Sequence, residues 1–65
     1  MDNPYLTLSG ADVRETAWNL AYLVTLVDER AGRYWDTKLR DFEDEYVTRE
    51  VWVEAIAAMR EITDR

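Results

Sequence analysis

The feature that most constrains this fold is a helical repeat of small apolar side chains in the first half of the chain. Spacings of three and four residues separate Val13, Ala17, Leu20, Val24, Val27 and Ala31. Such spacings line one face of an α-helix, whereas a strand has a period of two. Ser9 followed by Asp12 indicates a capped start, and Gly32 suits a left-handed residue after a helix end. The pattern predicts a first helix over residues 10–31.

Two further helices are predicted in the second half. A narrower apolar stripe steps by four, three and four residues through Trp35, Leu39, Phe42 and Tyr46, and indicates a helix over residues 34–46. Thr48 is then placed as the N-cap of a third helix over residues 49–63. The broad apolar face of this third helix contains Val51, Trp52, Ala55, Ile56, Met59 and Ile62.

The length and composition favour one compact unit. The 65 residues are 48% hydrophobic and have no cysteine, so we expect a single acidic helical domain over residues 1–65. Pro4 disfavours a helical conformation at Asn3, so residues 1–8 are expected to lie extended in a groove. The predicted fold class is all-α, a compact three-helix bundle with a short extended N-terminal arm.

Composition also excludes most catalytic classes. With no Cys and no His, the chain has no thiolate, imidazole base or zinc-finger site. The acids at 41–45 lack the central glycine of a calcium loop, and consecutive helical residues point 100° apart. A domain this small offers little room for a cleft between two catalytic carboxylates. We therefore expect no enzyme activity, no catalytic residue, no bound metal and no cofactor.

The charge balance bears on partners and location. Fourteen acids against eight bases give a net charge of −6, which disfavours direct binding of nucleic acid. No apolar run reaches the roughly 20 residues of a membrane span, and the N-terminus lacks the basic region of a signal peptide. We expect a cytoplasmic protein that contacts neither membrane nor nucleic acid directly.

A second apolar stripe lies on the first helix. Trp18, Tyr22 and Leu26 are spaced four residues apart, on the side opposite the main repeat. A helix that is apolar on two faces is usually central in a bundle, so we predict that the stripe is interior and the protein a monomer rather than a homodimer. The alternative is an exposed aromatic anchor for a partner or a second copy.

The acidic side chains on the other two helices have two interpretations. They are Asp36, Asp41, Asp44, Glu45, Glu50, Glu54 and Glu61. A charged face keeps a small domain soluble, and a net charge of magnitude about 2–8 is ordinary for one. Alternatively, carboxylates one helical turn apart stand about 5–6 Å apart along the axis, which is comparable with the spacing of successive charges along a duplex backbone. Such an array could bind a protein partner that has a basic nucleic-acid-binding groove.

The whole-chain character resembles a known class of proteins. The run Asp41-Phe42-Glu43-Asp44-Glu45, the acidic line on the third helix and the aromatic stripe are together similar to small phage-encoded anti-CRISPR proteins, in size, charge and helical pattern only. The resemblance implies an inhibitor of a type I CRISPR-Cas effector complex, acting in the host bacterial cytoplasm. Its acidic surface would mimic nucleic-acid phosphates and block recognition of target DNA.

Two alternatives use the aromatic stripe instead of the acids. In one, the chain is an antitoxin-like or regulatory module that lays the stripe of Trp18, Tyr22 and Leu26 into a partner's groove. In the other, it is a structural module that self-associates through the same stripe. Charge mimicry should weaken steeply with ionic strength, and an apolar contact should not.

Overall fold

A computed structural model of the chain describes the backbone of residues 10–64 and the side chains of residues 12–64. It contains three helices, α1 (Gly10–Val27), α2 (Glu29–Glu45) and α3 (Arg49–Thr63), and no strand among those residues. The all-α class and the three-helix architecture are therefore confirmed. The predicted N-cap Ser9 and the expected N-terminal arm lie outside the described residues.

The central helix of the bundle is α1. It packs against both α2 and α3, which make little contact with each other. Its buried side chains are Val13, Ala17, Ala21 and Val24, with Leu20 partly buried against the same core. The Cα atoms span 30 × 28 × 14 Å. The core thus lies on one side of α1, between it and its two neighbours.

The boundary between the first two helices differs from the prediction. The expected helices over 10–31 and 34–46 are replaced by a break at Asp28, which is extended at φ −150° and ψ 105°. The Asp28 carboxylate accepts hydrogen bonds from the backbone N–H groups of Arg30 (3.1 Å) and Ala31 (3.3 Å). Asp28 is therefore the N-cap of α2, and it satisfies two donors that a helix start leaves open.

Gly32 does not end a helix, so its predicted role is wrong. It lies buried in the first turns of α2, and no described glycine has a positive φ. A Cβ atom at this position would stand 2.6 Å from the Cα of Thr25 and would also overlap the Thr25 hydroxyl. The absence of a side chain lets α2 approach α1 closely.

The end of α2 also differs from the prediction. Leu39 is buried, and Trp35 and Phe42 are partly buried against the core, as the stripe requires. Phe42 meets Trp52 of α3 edge to face, with ring centroids 5.7 Å apart. Tyr46, however, is the C-cap of α2, left-handed at φ 53°, and its side chain is 91% exposed. The stripe stops where the helix stops.

The third helix has the predicted bounds. Trp52, Ala55, Ile56 and Met59 are buried as expected, and Val53 adds to the buried face. Thr48 is the N-cap, although its side chain makes no capping hydrogen bond. Glu50, Glu54 and Glu61 are exposed on the opposite side.

Candidate functional site

Four exposed acids lie in the last turns of α2 and the first turn of α3. The last turns of α2 contain Asp41, Asp44 and Glu45. They are spaced by three residues and then by one residue, so their side chains share one helix face. Glu50 comes five residues after Glu45, which limits the distance between their Cα atoms to about 18 Å. We call these four residues the acidic corner.

Most residues of the acidic corner lie at the C-terminal end of α2, where they lower the stability of that helix. The last turn of α2 contains Glu43, Asp44 and Glu45 and no basic residue. The C-terminal end of a helix has a partial negative charge, and acids there cost roughly 0.3–1 kcal/mol each at the surface. Helix stability therefore does not explain why these acids lie at this end of α2.

The other predicted acids lie at different distances from the corner. Asp36 is partly buried, and its carboxylate pairs with the Arg40 guanidinium at 3.1 Å, so it is not part of the corner. Glu54 is exposed one turn along α3 from Glu50 and continues the acidic surface. Glu61 is exposed about 16 Å along α3 from Glu50, at the far end of the helix.

Tyr46 is a candidate that sequence reasoning missed. It stands between Glu45 and Glu50, is 91% exposed and adopts a left-handed conformation that is uncommon for a residue with a side chain. Its spacing from Phe42 continues the apolar stripe, so periodicity assigned it to the core. An exposed tyrosine that follows Glu45 and precedes Glu50 in the chain offers a flat apolar contact.

Glu43 has a structural role that the sequence did not indicate. Its carboxylate accepts a hydrogen bond of 3.2 Å from the indole N–H of Trp18, which ties α2 to α1. The two residues are 25 positions apart, so no local pattern could have revealed the pair. Of the five residues in the acidic run, Glu43 is the one that contacts α1 in this way.

An open cleft of about 250 Å³ lies beside the corner, and its lining includes Arg14, Arg49, Phe42, Tyr46 and Trp52. Among the described residues that line it, Glu43 is the only acid. That carboxylate accepts the hydrogen bond from the indole N–H of Trp18.

The predicted interior stripe on α1 is only partly interior. Trp18 is partly buried against the core, but Tyr22 is 66% exposed and Leu26 is 67% exposed, so the interior prediction is wrong for these two. Leu23 (46%) and Val27 (57%) are exposed beside them. We call Tyr22, Leu23, Leu26 and Val27 the α1 patch. It is exposed because α2 and α3 pack against the side of α1 that contains Val13, Ala17 and Val24. Tyr22, at the edge of the α1 patch, also lines a cleft of about 210 Å³ with Asp36 of α2.

Three further findings concern ligands, membranes and relatives. Within residues 10–64, no group of three or more His, Cys, Asp or Glu side chains is arranged to hold a metal ion. Over the same residues, no helix has the length and apolar character that crossing a membrane requires. Comparison with protein-family models, curated proteins and solved structures finds no match to this chain.

Proposed function

We propose that this chain is a non-catalytic inhibitor that places its acidic corner in a basic groove of a nucleic-acid-binding protein. The partner class suggested by the resemblance in size, charge and helical pattern is a bacterial type I CRISPR effector complex. In the bound state, the carboxylates of Asp41, Asp44, Glu45 and Glu50 take the place of phosphates, and target DNA is excluded.

The placement of acids at the C-terminal end of α2 carries this proposal. A domain that needs acids only for solubility can place them at helix N-termini, where they also stabilise the helix. Glu50 has such a favourable position in the first turn of α3, but Asp44 and Glu45 lie in the last turn of α2, where the helix dipole opposes them and no base is present. A role in binding accounts for that cost, because function commonly retains groups that stability alone would remove.

The structural setting of the corner suits binding to a groove. α2 is anchored by buried Leu39 and by the hydrogen bond between Glu43 and Trp18, and α3 by buried Ile56 and Met59. The acids therefore stand on two helices that are packed into one core. A preorganised array loses less entropy on binding than a flexible acidic tail would.

A plaque assay tests the proposal in the cell. The chain is expressed in a bacterium whose active type I CRISPR system targets an infecting phage, and plating efficiency is measured. We expect expression to restore plating toward the level of a strain without the system. The double variant Asp41→Lys/Asp44→Lys should lose this effect while circular dichroism shows an unchanged helical content, because exposed charges contribute little to folding.

A control with the same change in net charge is available. Glu15 and Asp64 are exposed acids outside the corner, and Glu15→Lys/Asp64→Lys shifts the charge by the same amount. This control should inhibit like the wild type. Equal inhibition by the corner variant would remove the acidic corner from the mechanism. Failure of the wild type against type I systems would remove the proposed partner class.

A further inference from the structure

The α1 patch is an exposed apolar surface formed by neighbouring residues of α1. Tyr22, Leu23, Leu26 and Val27 lie within six consecutive residues and are 46–67% exposed. At these exposures they present on the order of 450 Å² of mainly apolar surface, within the range of roughly 300–600 Å² for the largest patch of a typical monomer, which is often functional.

We propose that the α1 patch is the contact surface for a second copy of this chain, with the two α1 helices packed antiparallel about a two-fold axis near Tyr22 and Leu23. A two-fold contact uses the same patch on both copies, so one apolar surface is sufficient. The expectation of a monomer depended on Tyr22 and Leu26 being interior, and both are exposed.

The charge distribution favours this occupant. Each copy has a net charge of −6, so most pairs of surfaces repel each other. Residues 17–27 of α1 contain no Asp, Glu, Lys or Arg, and the α1 patch lies in this uncharged stretch. Two copies can therefore meet here without bringing like charges into direct contact.

Charge also decides the orientation. Asp12 and Glu15 are exposed at the start of α1. A parallel pair would place these acids beside their own copies, whereas an antiparallel pair separates the two Glu15 residues by about 22 Å along the axis. The antiparallel arrangement also opposes the two helix dipoles.

The available area is consistent with a specific but modest contact. Two patches of this size bury together about 900 Å² from these four side chains, close to the lower limit of roughly 1,000 Å² for a specific interface. Side chains at the edge of the patch, such as Asn19, add to this area.

Sedimentation equilibrium of the purified chain, at concentrations from about 1 µM to about 1 mM, tests for a dimer whose dissociation constant lies in that range. We expect a reversible monomer–dimer equilibrium that high salt does not weaken. Leu26→Lys reduces the net negative charge yet should weaken the dimer by about tenfold or more. Ala57→Lys makes the same change of charge at an exposed site on α3 and should leave the dimer intact.

Cross-linking tests the orientation, since the chain has no native cysteine. Under a mild thiol oxidant, Leu23→Cys should form a disulfide-linked dimer, because residues near the two-fold axis bring their Cβ atoms within bonding range. Glu15→Cys should form no disulfide-linked dimer. A wild type that stays monomeric to about 1 mM, a dimer unaffected by Leu26→Lys, or cross-linking of Glu15→Cys would each overturn the proposal. Capture of a different protein by the α1 patch of a strictly monomeric chain would do so as well.

Discussion

At the scale of single residues, Gly32 determines how closely α1 and α2 approach. It is buried inside α2, where a Cβ atom would stand 2.6 Å from the backbone of Thr25. Glycine is an unfavourable helix-interior residue, by about 1 kcal/mol relative to alanine. Its presence in α2 is explained by the space it leaves for α1 and not by the conformation of its own backbone.

The substitution Gly32→Ala should therefore destabilise the protein despite the better helix propensity of alanine. In an exposed helix it would gain about 1 kcal/mol, but here overpacking against Thr25 should outweigh that gain and give a net loss of about 1–2 kcal/mol. Urea denaturation measures the change. Thr37→Ala, at an exposed position of the same helix, should leave stability unchanged or slightly raised. A more stable Gly32→Ala variant would contradict the close approach.

At the scale of helices, Asp28 separates α1 from α2. Sequence periodicity missed this break because Val27 and Ala31 stand four residues apart, in phase across it. The information was present in Asp28 followed by Glu29, an N-cap residue followed by an acid in the first turn. This N-cap signal was overlooked because the apolar repeat continues across Asp28 and so predicts an uninterrupted helix.

The two internal N-caps differ, and the difference is measurable. Asp28→Ala removes two side-chain hydrogen bonds to backbone N–H groups and should cost about 0.5–2 kcal/mol. Thr48→Ala should cost less, because the Thr48 side chain makes no capping hydrogen bond. Asp28→Asn should retain most of the wild-type stability. Thermal unfolding of the three variants under one buffer condition tests this order, and an equal loss for both alanine variants would contradict it.

The C-terminal end of α2 supplies a second test at this scale. If Glu45 opposes the helix dipole, Glu45→Arg should raise the free energy of unfolding by about 0.3–1 kcal/mol. The proposed function requires the same variant to inhibit less well. Chemical denaturation and the plaque assay together check both effects. A variant that is less stable than the wild type would remove the argument that the acidic corner is costly to the fold.

At the scale of the whole molecule, α1 is covered by α2 and α3 on one side and leaves the α1 patch open on the other. The core should therefore respond unequally to truncation. Ile56 is fully buried in α3, so Ile56→Ala should cost about 2–5 kcal/mol. Leu20 is only partly buried, and Leu20→Ala should cost clearly less. Urea denaturation of both variants measures the difference, and a larger loss at Leu20 would contradict the packing.

The architecture could be predicted because each helix carries its own local signals. The bounds of α3 followed from Thr48, from a broad apolar face and from the acids opposite that face. The main apolar repeat of α1 was correctly placed in the core, but whether the second side of α1 is also covered could not be predicted, since Trp18, Tyr22 and Leu26 are as apolar as many core stripes. Only the packing of α2 and α3 decides that question. Likewise, the exposure of the acids was predictable from their helix faces, whereas the exposure of Tyr46 depended on where α2 ends.

The proposed mechanism places the acidic corner at the site where the effector complex would bind target DNA. The most direct test is competition between this protein and target DNA for a purified type I surveillance complex, measured by native gel or fluorescence anisotropy over a range of salt. We predict mutually exclusive binding, with an affinity for the protein that falls steadily as salt rises. A ternary complex of effector, DNA and this protein, or an affinity that does not change with salt, would contradict the account.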